Sequence, residues 1–359
     1  MGHQTASQLV SGPKHLVHSL SYSSPEIAMT TRRQLLKSIG VAGISAHLAA
    51  PSVSRAQAPV VETLRIIVGF PPGGTSDGFA RRLASKLQGT YAHNAFVENK
   101  SGAGGQIAVT ALRDSVADGS VMLLTPAAIL IIYPYTYPKL PYTINDVTPI
   151  STVNYGSHGF GVGPLVPASV KTLHEFLDWA KANPALANYG TPAAGSMPHL
   201  VAALMEKTSG IPLKQVPYRG SAPGIQDLLG GQIAAFSSPM GDYLPYLGSG
   251  RLRLLAVTGT TRSRFTPDVP TYTEQGFPEL NMREWTGVFM SPRIPAAVAQ
   301  RAHAAVSAAL LQKDMIDAGL PWAFDVVGSS SPEEFARVMK ADHDRWGPYV
   351  RRVGFTAES

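Results

Sequence analysis

Two short segments carry residue types that can hold an anion without any cationic side chain. The first is Phe70-Pro-Pro-Gly73-Gly74-Thr75-Ser76-Asp77, in which prolines stop a strand, glycines turn the chain and hydroxyls precede an acid. Glycine lets a ligand approach the main chain closely, because no Cβ intervenes. A helix starting here has free first-turn N–H groups at the positive end of its dipole. Backbone of this kind receives carboxylates or phosphates. The second segment, Gly190-Thr191-Pro-Ala-Ala-Gly195-Ser196 with His199 three residues on, has similar chemistry in the other half of the chain. Tyr218 and Arg219 precede Gly220 at a predicted strand end, where clefts of α/β domains form. Arg219 could clamp a second carboxylate in bidentate fashion or stand solvated at the surface.

Each of these residues also has a purely structural reading. Gly73 and Gly74 could serve only a tight turn. Thr75 and Ser76 could cap the helix, and Asp77 could complement its dipole. His199 opens a helix beside Leu200, where a histidine is commonly structural. Other chemistries find less support. Gly74-Thr-Ser-Asp-Gly78 fits the Gly-x-Ser-x-Gly pattern of a serine esterase, with Ser76 as nucleophile and Asp268 with His303 or His343 to complete a triad. However, prolines and glycines separate Ser76 from the strand, whereas a nucleophile elbow sits directly on the strand-to-helix turn. Gly102-Ala-Gly-Gly-Gln-Ile107 lacks the third glycine of a dinucleotide fingerprint. The chain has no cysteine, no His-Glu-x-x-His and no dense acidic cluster, so neither a metal nor any other cofactor is expected.

The elements that must position these loops alternate as strand, turn and helix, which argues for an α/β fold with mainly parallel sheets. Leu64 to Val68 is a strand and Phe79, Leu83 and Leu87 recur at helical spacing. Thr172 with Glu175 reads as a capping box for Leu173 to Ala182. The Tyr- and Pro-rich stretch Tyr133 to Tyr142 reads as an irregular surface loop, a packed loop rather than a cleft lid. Trp285 reads as core, near where the chain returns to its first lobe. The expected division is 59–159 and 285–359 for lobe 1 and 160–284 for lobe 2.

Upstream, Thr31-Arg32-Arg33-Gln-Leu-Leu-Lys37 is a twin-arginine signature, followed by a small and apolar run and by Ala56-Gln57-Ala58. Residues 1–58 are therefore read as an upstream segment plus an export signal cleaved near Ala58, which predicts a periplasmic protein. Five of the 30 Lys/Arg and one of the 24 acidic residues lie in that segment, so the net charge falls from +6 to +2 on its removal. That balance argues against a nucleic-acid partner. No later stretch is apolar enough to span a membrane.

Taken in order, these motifs resemble the Bug-type periplasmic receptors of tripartite tricarboxylate transporters. The resemblance rests on Phe70 to Asp77 and on Val97-Glu-Asn-Lys-Ser-Gly-Ala-Gly-Gly105. It continues through Val216-Pro-Tyr-Arg-Gly-Ser-Ala-Pro-Gly-Ile-Gln-Asp-Leu-Leu-Gly-Gly231, Gly250-Arg-Leu-Arg-Leu-Leu-Ala-Val257, Asp268-Val-Pro-Thr271 and Glu274-Gln-Gly276. It implies a two-lobed type 2 periplasmic binding protein, a Venus flytrap with a mostly parallel, helix-flanked sheet in each lobe. It further implies that the loops at Gly73–Asp77 and Thr191–His199 hold the carboxylate of a di- or tricarboxylate, an aromatic acid or an amino acid. The implied partners are the membrane components of a tripartite transporter, and the chain is expected to act as a monomer and not as an enzyme. A sensor feeding a signalling receptor would use the same fold. Ala234 and Ser237 stand where an acidic residue is common in the family, so Ser237 would make the cleft less negative if it faces the ligand. Ser120-Val121 and Pro192-Ala193-Ala194 are further departures from the family pattern.

Overall fold

The computed structural model describes residues 61–357, and the leader with its twin-arginine and cleavage motifs lies outside them. Among the described residues, eleven strands form two sheets. They are β1 (Val61–Val68), β2 (Ala92–Asn99), β3 (Val121–Pro126), β4 (Thr148–Gly156), β5 (His158–Val162) and β6 (Asn188–Thr191). The rest are β7 (Lys214–Pro217), β8 (Ala235–Pro239), β9 (Arg253–Val257), β10 (Glu284–Met290) and β11 (Phe324–Val326). The first sheet runs β11-β4-β10-β3-β1-β2 and the second β7-β6-β8-β5-β9.

Pairing in both sheets is mixed, which corrects the expectation of mostly parallel sheets. β2, β1 and β3 are parallel, as are β7, β6 and β8. β10 runs antiparallel to both β3 and β4, and β5 runs antiparallel to both β8 and β9. The reason lies in the path of the chain. It leaves the first sheet at Gly156 and joins the second at His158, with only Ser157 between them. It returns to the first sheet along β10, so outgoing and incoming strands lie side by side in opposite directions.

Helices cover the sheets as the apolar spacing requires. Thr75–Leu87 buries Phe79, Ala80, Leu83, Ala84 and Leu87 on one face. Thr172 accepts the Glu175 N–H at 3.2 Å while Glu175 accepts the Thr172 N–H at 2.9 Å, completing the expected capping box. Met197–Ser209 is buried over its first nine residues, so it is a central helix rather than a surface one. The segment expected as an irregular surface loop is partly helical and partly core. Tyr133–Thr136 forms a short helix, and buried Tyr142 donates to the Ile129 carbonyl at 2.8 Å. Burial of the rings outweighed the turn-forming tendency of the prolines.

The final helix, Pro332–Val353, locks onto the first sheet through an aromatic trio. Phe335 meets Trp285 edge-to-face with ring centroids 5.0 Å apart, and Phe289 at 5.2 Å. The Trp285 indole N–H donates to Asp342 at 2.9 Å. Replacing fully buried Phe335 by Ala removes the ring at the centre of this contact. The expected loss is about 3–5 kcal/mol, read as a lower denaturant midpoint at unchanged slope.

Candidate functional site

The ends of four strands converge on one cavity of about 230 Å³. Phe70 follows β1, Pro126 ends β3, Pro192 follows β6 and Pro239 ends β8, and all four line it. These are carboxyl ends of parallel strands in both sheets, where α/β folds place their ligands. One wall is the loop from Pro192 to Pro198, and Ile129, Tyr133 and Thr136 contribute from the first sheet's side. The volume lies below the roughly 300–1,000 Å³ typical of drug-sized ligand pockets, which suits a small metabolite.

The two loops singled out from the sequence share one construction. Gly73 has φ +91° and donates its N–H to Asp77 Oδ2 at 2.9 Å. Gly195 has φ +75° and donates its N–H to His199 Nδ1 at 2.9 Å. In each case a left-handed glycine precedes the N-cap, and the acceptor is a side chain in the first helical turn, four residues on. In neither loop does the N-cap side chain occupy the first-turn N–H groups. Gly74 has no side chain, and Ser196 Oγ instead donates to the Ala193 carbonyl at 2.7 Å. Thr75, Ser76 and Met197 N–H groups accordingly find no acceptor among the described residues. Each loop is thus held from within while its helix N-terminus stays available.

The acceptors' charge states follow from their surroundings. The hydrogen bond from Arg81 is the largest influence holding Asp77 down at about 2, with the Gly73 and Asn99 donors acting in the same direction. Burial alone lowers His199 to about 4, so its ring is neutral and Nδ1 is free to accept. The proton then resides on Nε2. The Phe355 ring packs edge-on against His199 at 5.1 Å, and a Cβ on Gly195 would meet that ring at 2.6 Å.

Of the sequence-derived site residues, Phe70, Gly195 and Ser196 line the cavity. Gly73, Gly74, Thr75, Ser76 and Asp77 lie beyond Phe70 and outside the lining. Asp77 accepts from Gly73, Arg81 and Asn99, and His199 Nδ1 accepts from Gly195, so these acceptor atoms are already engaged. Thr191 is fully buried and accepts from Gln215 at 2.9 Å. Ser237 is fully buried on β8 and donates to the Pro198 carbonyl at 2.8 Å, so it steadies the helix start. Tyr218 donates to Asp227 at 2.8 Å, and Arg219 is exposed away from the cavity. The histidines considered for an esterase are engaged elsewhere, His303 with the Ser329 carbonyl and His343 with Tyr135. No group of three or more metal-ligating side chains occurs among the described residues.

Sequence reasoning missed Tyr137, Glu284, Phe355 and Ala357 in the lining. Two of them come from the chain's end, which reaches the site because the Ala357 N–H donates to the Thr136 carbonyl at 2.8 Å. Only the aromatic density of 133–137 hinted at this wall.

Comparison with known proteins gives a consistent picture. The family model described as tripartite tricarboxylate transporter family receptor matches residues 79–355. Protein BugT of Bordetella pertussis is 32% identical over 332 residues, covering 89% of this chain and 98% of that one. The solved periplasmic binding protein BugD is 25% identical with a TM-score of 0.68, covering 83% of this chain and 99% of that one. A Rhodopseudomonas palustris protein with adipate is 26% identical with a TM-score of 0.70 and the same coverage. Another, with bound malate, is 25% identical with a TM-score of 0.65, covering 81% and 99%.

The depressed His199 value makes the second loop acid-sensitive. The unfolded chain takes up the His199 proton near pH 6.5, whereas the folded chain resists it down to about 4. Stability is therefore full above pH 7 and falls as pH drops through that window. In thermal melts, wild type should lose stability relative to His199→Gln between pH 6.5 and 4, with a constant difference above pH 7.

Proposed function

This chain belongs to the tripartite tricarboxylate transporter receptor family, and from that premise we propose that its two loops grip one small organic acid between the lobes. It is a periplasmic solute-binding receptor that captures a carboxylate and hands it to a membrane transporter. The finer assignments are our reading. Lobe 1 comprises 59–159 and 285–359, and lobe 2 comprises 160–284. The carboxylate sits on the N-terminus of the Met197–Ser209 helix, with Ser196 and the Gly195 loop around it and Phe70 across the cavity. Gly73 to Asp77 add the second set of N–H groups as the lobes close. Asp77, His199, Thr191 and Ser237 act by holding the backbone in place. Arg219 and Tyr218 contribute only if closure carries them inward. The chain acts as a monomer, without catalysis and without a cofactor.

The observation that carries this reading is the repeated loop construction, one copy per sheet, with a helix N-terminus left available in each. Relatives with adipate and malate support a small-acid ligand. Closure then follows from differential affinity, because a ligand shifts an equilibrium only when it binds one state better. The route of export is the twin-arginine leader with cleavage near Ala58.

A matching carboxylate at a hundred times its Kd should stabilise the chain by about 2.7 kcal/mol. A thermal-shift screen of organic acids should read this as roughly 5 °C or more. A Cβ at Gly74 would find nothing nearer than the Pro71 carbonyl at 3.9 Å, so Gly74→Val should fold. It should nevertheless weaken the best acid at least tenfold in calorimetry. Unchanged affinity would remove the first loop from the site. Replacing Arg32 and Arg33 together by Lys should trap the chain in the cytoplasm on fractionation, and export unaffected by the change would refute the twin-arginine route.

A further inference from the structure

Glu284, the first residue of β10, lines the cavity with its side chain 24% exposed. Among the described residues that line the cavity it is the only charged one, and the lining holds no Lys, Arg or His. No described side chain or backbone group donates a hydrogen bond to its carboxylate. His158 Nε2 lies 3.4 Å from Oε2. That contact does not complete a hydrogen bond, since both nitrogens of His158 are without partners although the residue is 2% exposed. The rings of Phe70, Tyr133, Tyr137 and Phe355 line the same cavity.

A carboxylate with no donor in a partly dry cavity calls for a cation, and repels a further anion. Aromatic rings in the same cavity favour the same kind of guest, because their π-systems attract positive charge. We propose that Glu284 sets the specificity of the cleft, admitting ligands that carry a carboxylate together with a cationic nitrogen and disfavouring plain di- and tricarboxylates. The inference rests on the carboxylate reading above and adds the second recognition group. The ligand's carboxylate meets the uncharged N–H groups of the Met197 helix, and its ammonium meets Glu284. Both charges of a zwitterion then find a partner, whereas a dicarboxylate brings its second charge against Glu284.

The test is calorimetry on the exported chain with pairs that differ only in the amine: alanine and propionate, phenylalanine and 3-phenylpropionate, glutamate and glutarate. At least one amino acid is expected to bind tenfold or more tightly than its amine-free partner. Glu284→Gln keeps the shape and removes the charge. It should bring that pair within threefold of each other and improve glutarate, with thermal melting confirming the fold. Tighter binding of the amine-free members by wild type, or a ratio unmoved by Glu284→Gln, overturns the inference while leaving the carboxylate reading intact. A variant that only melts earlier, with its ratio unchanged, makes Glu284 a structural partner of His158. Silence toward both members of every pair overturns the carboxylate reading itself.

Discussion

Main-chain N–H groups hold an anion well only when the loop presenting them is already fixed, since ordering a flexible loop on binding consumes much of the gain. That constraint explains why two unlike residues, Asp77 and His199, do the same work. Each accepts the N–H of a left-handed glycine four positions earlier. One is an ionised carboxylate steadied by Arg81 and Asn99, the other an imidazole kept neutral by burial. A charged imidazole could not accept at Nδ1, so desolvation of His199 is a condition of the loop's shape. Ser237 adds a tie from β8 to the Pro198 carbonyl, joining the loop to the sheet beneath it.

The fold supplies the placement. Parallel triplets, β2-β1-β3 and β7-β6-β8, each end in turns at one edge, and those edges share the cavity. Antiparallel β10 and β5 join the triplets to the strands that pass between sheets. The chain passes from the first sheet to the second at Gly156–His158, and Glu284 stands within ion-pair range of His158 at that crossing. The final helix packs Phe335 on the returning strand and then carries Phe355 and Ala357 to the cavity. Site and crossover are therefore built from the same few residues.

Local chemistry was legible in the sequence, and long-range closure was not. The strand-turn-helix units, the glycine turns and the Thr172–Glu175 capping box depend on neighbours a few residues apart, and their residue types announce them. Asp77 and His199 were legible as important but not as loop clamps, because a side chain's acceptor is fixed by geometry that composition does not encode. Glu284, Tyr137 and Phe355 enter the cavity from positions distant in sequence, so no periodicity marks them. The antiparallel return of β10 was equally hidden. An apolar run such as Trp-Thr-Gly-Val-Phe-Met reads the same in either direction of pairing.

An uncharged cradle has a consequence for a protein that must surrender its cargo. A buried arginine clamp would offer strong bidentate bonds and correspondingly slow release. Helix N-termini offer a weaker and strictly directional field, which fades within the first turn. On the proposed reading, affinity would be drawn from many small terms that require both loops to be in register, and separating the lobes would remove several of them together. Selectivity cannot come from such a cradle, because every carboxylate presents the same two oxygens. It has to come from what the rest of the ligand touches, and in this chain the cavity lining pairs aromatic faces with one acid. Capture and discrimination thus fall, on this proposal, to different parts of the site, so that either could change through substitution without disturbing the other.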